Sequence, residues 1–189
     1  MTPNLNRRHV IALAASALLA STAWAQGYEK KDEGVLTQEI VLGSSQPMSG
    51  TLAYMGKAVD EAIRTYFDMV NGQGGVHGRK IKLITYDDEL KPAKSVANAK
   101  LLVERDNVLA MVGNIGHATN MSAYEYSGPK KVPTVGALSI SDLTSTPARD
   151  YLYVLPSPQS TETAAYVDHA INTLKAKRVA MLYQNDGWG

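Results

Sequence analysis

"VNGQGGVHGRKIKLITYDDELKPAKSVANAKLLV", residues 70–103, holds a helix end, a strand and a helix start in immediate succession. The glycines of "NGQGG" (71–75) supply the open backbone that stops a helix. "KIKLITY" (80–86) is short and rich in branched apolar residues, as strands are. Pro92 suits the first turn of the next helix, which the spacing of Val96, Ala99, Leu102 and Val103 carries to about Arg105. Helix, strand, helix in this order is part of a crossover unit, and crossovers build parallel sheets.

The same alternation extends in both directions. Upstream, "EIVLGS" (39–44) reads as a strand, and residues 54–70 read as a helix burying Met55, Val59, Ala62, Ile63, Tyr66 and Val70. Lys57, Asp60, Glu61, Arg64 and Asp68 fall mostly on its opposite side. Downstream, "VLAMVG" (108–113), "VPTVGA" (132–137), "YLYVL" (151–155) and "RVAMLY" (178–183) are further strands, with helices over about 118–127 and 160–174. The strands mostly lack polar alternation, as strands buried on both faces do. The expectation is an α/β fold with a Rossmann-like parallel sheet flanked by helices. Such sheets bind ligands at the carboxyl ends of their strands, which selects the loops 45–55, 87–91, 114–120 and 138–142.

The N-terminus reads "MTPNLNRRHVIALAASALLASTAWAQ", a basic pair, an apolar run and small residues at Ala23 and Ala25. It reads as a signal peptide with cleavage expected after Ala25, because the run is shorter than the roughly 20 residues that span a bilayer. Arg7 and Arg8 leave both general and twin-arginine export open, since Ala12 stands where the latter pattern usually has lysine. Residues 26–38 are polar and aperiodic and read as a tether. With no cysteine in 189 residues there is neither a disulfide nor an acceptor for a lipid anchor, so a free periplasmic protein is expected. Removing the signal takes two of 19 basic residues and leaves a net charge of −1 against 18 acids, without a basic field for nucleic acid.

"GSSQPMSGTLAYMG" (43–56) leaves a strand through small polar residues that bring backbone N–H groups to a surface. Tyr54 and Met55 then offer an apolar wall. "GNIGHATN" (113–120) joins a strand to a helix, with Thr119 and the amides of His117 and Ala118 at the helix end. "GALSISD" (136–142) repeats the arrangement with Ser139 and Ser141 as donors. Neutral donors suit a small carboxylate that must later be released.

Enzymatic readings are weaker. "GQGGVHG" (72–78) follows a helix and precedes a strand, the reverse of a dinucleotide fingerprint, and "GSSQPMSG" lacks the Gly-Lys-Ser/Thr ending of a P-loop. No Gly-x-Ser-x-Gly elbow occurs. Asp87 and Asp88 of "YDDEL" read as helix-start carboxylates complementing a dipole rather than a metal or phosphoryl site. His77 and His169 lack ligand spacing, and no metal or cofactor is expected.

On "PMSGTLAYMGKAVDEAI" (47–63), residues 70–103 and "RVAMLYQNDGWG" (178–189), the chain resembles the periplasmic solute-binding proteins of branched-chain amino acid ABC transporters, the leucine/isoleucine/valine-binding type with the type I periplasmic binding fold. The resemblance runs from about residue 40 to the last residue. It implies two Rossmann-like lobes joined by three crossovers and closing on a solute by a hinge. Residues 39–155 would be the first lobe and 156–189 a crossover with the start of a second, in a chain that looks truncated. By position, Met55 falls where the family often puts an aromatic, His117, Ala118 and Thr119 in the loop that binds the α-carboxylate, and Leu138 and Ser139 in a loop adding a carbonyl and a hydroxyl. Trp188 matches an aromatic contact from the second lobe. His117 stands about where amino-acid binders usually place serine, and Pro156 about where many members have arginine, which widens the ligand range to aromatic acids, amides and other small organic solutes. The partners so implied are the solute and an inner-membrane ABC permease, with a monomer when complete. A sensing module of a receptor or regulator is the alternative on the same fold.

Overall fold

The computed structural model describes residues 35–36, 38–139, 141–183 and 185. The chain forms β1 (Glu39–Gln46), α1 (Ala53–Gly72), β2 (Lys80–Asp87), α2 (Pro92–Lys100), β3 (Ala110–Val112), α3 (His117–Ser127), β4 (Thr134–Ala137), α4 (Asp142–Ser145), β5 (Leu152–Val154) and α5 (Gln159–Asp168). The strands make one sheet in the order β2-β1-β3-β4-β5, and every neighbouring pair is parallel. The chain steps from β1 to one edge and then crosses back to β3. Its topological switch point therefore lies between β1 and β3, where open α/β sheets bind ligands.

The predicted helices of 92–105 and 160–174 are present with their last turns widened. α2 continues into a π-helical turn over Leu101–Arg105, closed by Asp106 N–H donating to the Leu101 carbonyl at 3.0 Å, and α5 continues over His169–Thr173. At the end of α1, Gly75 has φ 78°, and a Cβ there would lie 2.0 Å from the Arg79 carbonyl oxygen. Only glycine fits that turn. Asn71 then exchanges two hydrogen bonds with Ile81, 2.8 and 2.7 Å, docking the helix end on β2.

One face of the sheet carries the core. Val41, Ala99, Leu102, Val108, Met111, Ala123 and Val132 form a buried cluster under α2 and α3. Register sets Gly43 beside Met111, Met111 beside Thr134 and Thr134 beside Leu152 on this face. Gly43 permits the close approach of α2, since a Cβ there would meet Leu102 Cδ2 at 2.7 Å.

On the other face α1 sits differently from the sequence expectation. Asp60, read as a solvent-side residue, is buried, while Tyr66, read as core, is 59% exposed and Ala62 and Met55 are exposed. The cause is a polar clasp to β2. Asp60 accepts from Arg64 Nε at 2.8 Å and from the Thr85 hydroxyl at 2.5 Å, while Arg64 also donates to Thr85 Oγ1 and the Leu83 carbonyl. Burial opposes the Asp60 charge, but the hydrogen bonds from Arg64 and Thr85 outweigh it and hold its carboxyl below the usual range. The helix turns to keep that charge paired, because an unpaired buried carboxylate costs more than an exposed tyrosine ring.

Residues 178–183, predicted as a further strand, pair with nothing in strand fashion among the described residues and are exposed, Leu182 fully. An apolar strand needs neighbours, and the one sheet among the described residues ends at β5.

Candidate functional site

The carboxyl end of β1 is a web of small side chains. Ser45 N–H donates to Asn114 Oδ1 at 3.1 Å, Ser45 Oγ donates to Asp88 Oδ2 at 2.9 Å and accepts from Asn98 Nδ2 at 3.1 Å. Ser44 Oγ donates to the Val112 carbonyl at 2.7 Å, stitching β1 to β3 at the switch point. These groups are buried, so the serines of "GSSQ" brace the strand ends and leave the following residues, 47–52, to form the rim.

Asp87 fixes that rim. Its Oδ1 accepts from the backbone N–H of Met48 (2.9 Å), Ser49 (3.3 Å) and Glu89 (2.9 Å), and its Oδ2 accepts from the Ser49 hydroxyl at 2.5 Å. Asp88 is fully buried and accepts from Leu90 N–H at 2.8 Å as well as from Ser45. This corrects the helix-dipole reading of "YDDEL": the first turn of α2 holds no acid, and its N-cap is Lys91. Asp87 ties the β2 end to the β1–α1 loop, and Asp88 ties it to the end of β1. Burial raises the Asp88 carboxyl above its usual range, with the Asp87 charge adding to it, while the bonds from Leu90 and Ser45 pull the other way. For Asp87, burial is outweighed by the Ser49 hydroxyl and the three amides, and its carboxyl is held below the usual range.

A depressed carboxyl contributes stability above its unfolded value, about 3.9, and that contribution is lost as pH falls through the lower folded value. Asp87→Ala removes the acceptor for three amides and is expected to cost about 1–3 kcal/mol. It should also flatten the acid limb of a denaturation profile below about pH 4. An unchanged acid limb would show that Asp87 does not hold the rim.

At the next strand end, Gly113 (φ 67°) and Gly116 (φ 95°) turn the chain from β3 into α3. Gly116 is the N-cap, and no side chain caps this end among the described residues, so the first amides of α3, those of His117 and Ala118 included, form its positive end. Asn120 Nδ2 holds the turn by donating to the carbonyls of Asn114 (3.1 Å) and Gly116 (2.6 Å). Thr119 is 2% exposed and its hydroxyl donates back to the Ile115 carbonyl rather than toward the helix end.

Loops 114–116 and 138 are zipped by backbone bonds. Leu138 N–H donates to the Asn114 carbonyl at 2.8 Å and Gly116 N–H to the Leu138 carbonyl at 3.0 Å. His117 Nδ1 lies 2.7 Å from Thr144 Oγ1, which lies 2.8 Å from Ser139 Oγ. A buried relay thus joins the two loops and orients the imidazole. Ala118 is exposed, Ser139 is 3% exposed, and Tyr54 and Met55, at the start of α1, are 68% and 37% exposed. Trp188 lies outside the described residues. Thr144 was missed by the sequence reading because α4 is a single turn too short to show a period. Its signal was "SDLTS" (141–145), where Ser141 precedes an acidic first residue at a helix start.

The site is therefore a shelf of braced strand ends with neutral donors and the N-terminus of α3, an arrangement that fits recognition of a polar head. Among the described residues no three acidic or histidine side chains stand close enough to hold a metal ion. The fold is one parallel α/β sheet of the doubly wound type, with its candidate site at the carboxyl ends of its strands. A family model described as periplasmic binding protein matches residues 39–189, and the chain belongs to that family.

It is 25% identical over 189 residues to an amino acid binding protein of Pseudomonas aeruginosa, covering 100% of this chain and 48% of that protein. A Leu/Ile/Val-binding protein homolog of Brucella suis is 28% identical over 135 residues, covering 71% of this chain and 31% of the relative. The crystal structure of a substrate-binding periplasmic protein from Ralstonia solanacearum superposes with a TM-score of 0.69 at 29% identity, covering 77% of this chain and 41% of that one. The chain spans at most about half the length of the relatives it matches.

Proposed function

We propose that this chain is the first lobe, with the beginning of the second, of an exported substrate-binding component of an ABC transporter. The complete protein captures a small organic solute, an amino acid or a related carboxylate or amide, and delivers it to a membrane permease without chemical change. The observation that carries the reading is the family match over residues 39–189, which spans the described strand-end loops.

In this reading the amides of His117 and Ala118 and the imidazole of His117 meet the solute's polar head, and Tyr54 and Met55 meet its apolar part. Thr119, Leu138 and Ser139 act from beneath by holding those loops in place, and Trp188 closes the site from the second lobe. Asp87 has spent its oxygens on the rim and Asp88 on Ser45 of β1 and the Leu90 amide, which leaves them poor candidates for acid–base catalysis. Signal cleavage after Ala25 and release into the periplasm complete the account.

A thermal-shift screen of the complete mature protein against aliphatic amino acids, aromatic acids, short amides and polyols tests it. A solute at 100 times its dissociation constant stabilises the folded protein by about 2.7 kcal/mol, a readable shift. Response to one chemical class supports the reading and names the cargo. A well-folded protein that responds to none of them, and turns over an added ester or phosphate instead, would overturn it.

A further inference from the structure

The bonds joining Ser139 Oγ to Thr144 Oγ1 (2.8 Å) and Thr144 Oγ1 to His117 Nδ1 (2.7 Å) carry two hydroxyl protons, and their direction decides what the imidazole presents. Two directions satisfy the distances. In one, Ser139 donates to Thr144 and Thr144 donates to Nδ1, which leaves the ring proton of neutral His117 on Nε2. In the other, a proton on Nδ1 goes to Thr144, Thr144 donates to Ser139, and Ser139 needs a further acceptor for its own proton.

The surroundings select the first. Ser139 and Thr144 are 3% and 1% exposed, and among the described residues Thr144 Oγ1 is the one hydrogen-bond partner of the Ser139 hydroxyl. Running the chain toward Ser139 would bury a hydroxyl donor without an acceptor, the costly way to leave a hydrogen bond. Running it toward His117 ends on the Nδ1 lone pair, and both hydroxyl protons are used. The two hydroxyls alone fix this direction, whatever else His117 meets. Thr144 presents its hydroxyl from a held backbone: its N–H donates to the Ser141 carbonyl at 3.0 Å, and its carbonyl accepts from Arg149 Nη1 at 3.1 Å.

The direction has a chemical consequence at the start of α3. An Nδ1–H ring would turn an Nε2 lone pair outward, against the sense of the His117 and Ala118 amides. An Nε2–H ring is a donor like them. We propose that Thr144 is a positioning residue for solute selectivity: through Nδ1 it fixes His117 as the Nε2–H tautomer, so that the site takes heads built of hydrogen-bond acceptors, a carboxylate or an amide carbonyl. Thr144 acts from beneath and does not itself meet the solute. The proposal rests on the solute-binding reading above and narrows its substrate class.

A long-range proton–nitrogen spectrum of the complete, isotope-labelled protein reads the tautomer directly, without solute, at about pH 8, where an ordinary imidazole is neutral. The His117 signals are those lost in His117→Gln. The expected result is a bare Nδ1 and a protonated Nε2 in the wild type, a mixture of both tautomers in Thr144→Val, and the wild-type pattern again in Thr144→Ser, with melting curves confirming that each variant folds. An Nδ1–H ring in the wild type, or protons on both nitrogens, would overturn the proposal whatever the variants do. Calorimetry with leucine, benzoate and benzamide, and with benzylamine as a head that cannot accept, then tests selectivity. Thr144→Val should weaken an acceptor-headed probe about tenfold, the worth of one hydrogen bond, and leave benzylamine unaffected, while Thr144→Ser restores the wild-type preference. Equal losses for every probe, or none, would overturn the selectivity role. The spectrum stands apart from the solute-binding reading: an Nε2–H tautomer in a protein that binds no small organic solute counts against that reading and upholds the relay.

Discussion

Leu102→Ala is expected to remove about 2–5 kcal/mol from the stability of the protein, the range for a fully buried leucine whose cavity cannot collapse. Leu102 is 0% exposed and sits in the cluster with Val41, Ala99, Val108 and Met111. Its methyl groups rest where Gly43 has no side chain, so the neighbouring backbone already stands as close as it can. β1 cannot advance far into the space, because Ser44 and Ser45 tie it to Val112 and Asn114. The cavity therefore stays open. Chemical denaturation of the complete protein measures the loss, and a value under about 1 kcal/mol would mean that this core collapses around the deletion.

Gly56→Ala is the second, and its sign is diagnostic. In an unconstrained helix interior, alanine for glycine stabilises by about 1 kcal/mol. Here a Cβ would lie 2.2 Å from the Pro47 carbonyl oxygen and 2.8 Å from its carbon, both backbone atoms of the rim. Those atoms cannot swing aside as a side chain would, because Met48 and Ser49 just beyond are pinned to Asp87. Either the rim lifts or α1 retreats from β2, and the expected result is a net loss of about 1–3 kcal/mol. Ligand affinity should fall with it, since the moved segment is the wall behind Tyr54 and Met55. Stabilisation instead would show that the rim is not packed on α1.

Much of this was legible beforehand because it is local. Strand β2, the glycine turn before it and the Pro92 start of α2 follow from residue type and period alone, and the parallel order follows from alternation. What escaped depends on partners far along the chain. The period of α1 could not reveal that Asp60 finds Arg64 and Thr85, so its buried side was assigned a few residues off. Asp87 and Asp88 were read against the nearest helix, whereas their partners, Met48, Ser49 and Ser45, lie some forty residues earlier. Residues 178–183 have a strand's composition but no sheet to join among the described residues. At the site, the loops were identified from strand ends, while the division between groups at the surface and groups beneath, such as Thr119 and Ser139, came only from their hydrogen bonds.

The central claim is that a solute's polar head rests on the ends of β3 and β4. Amide hydrogen exchange of the complete protein, with and without a saturating solute found in the screen, tests it most directly. The account predicts slower exchange on binding in residues 113–119 and 137–141, with little change along β2 at the sheet edge. Unchanged exchange in both segments, with protection elsewhere, would contradict it.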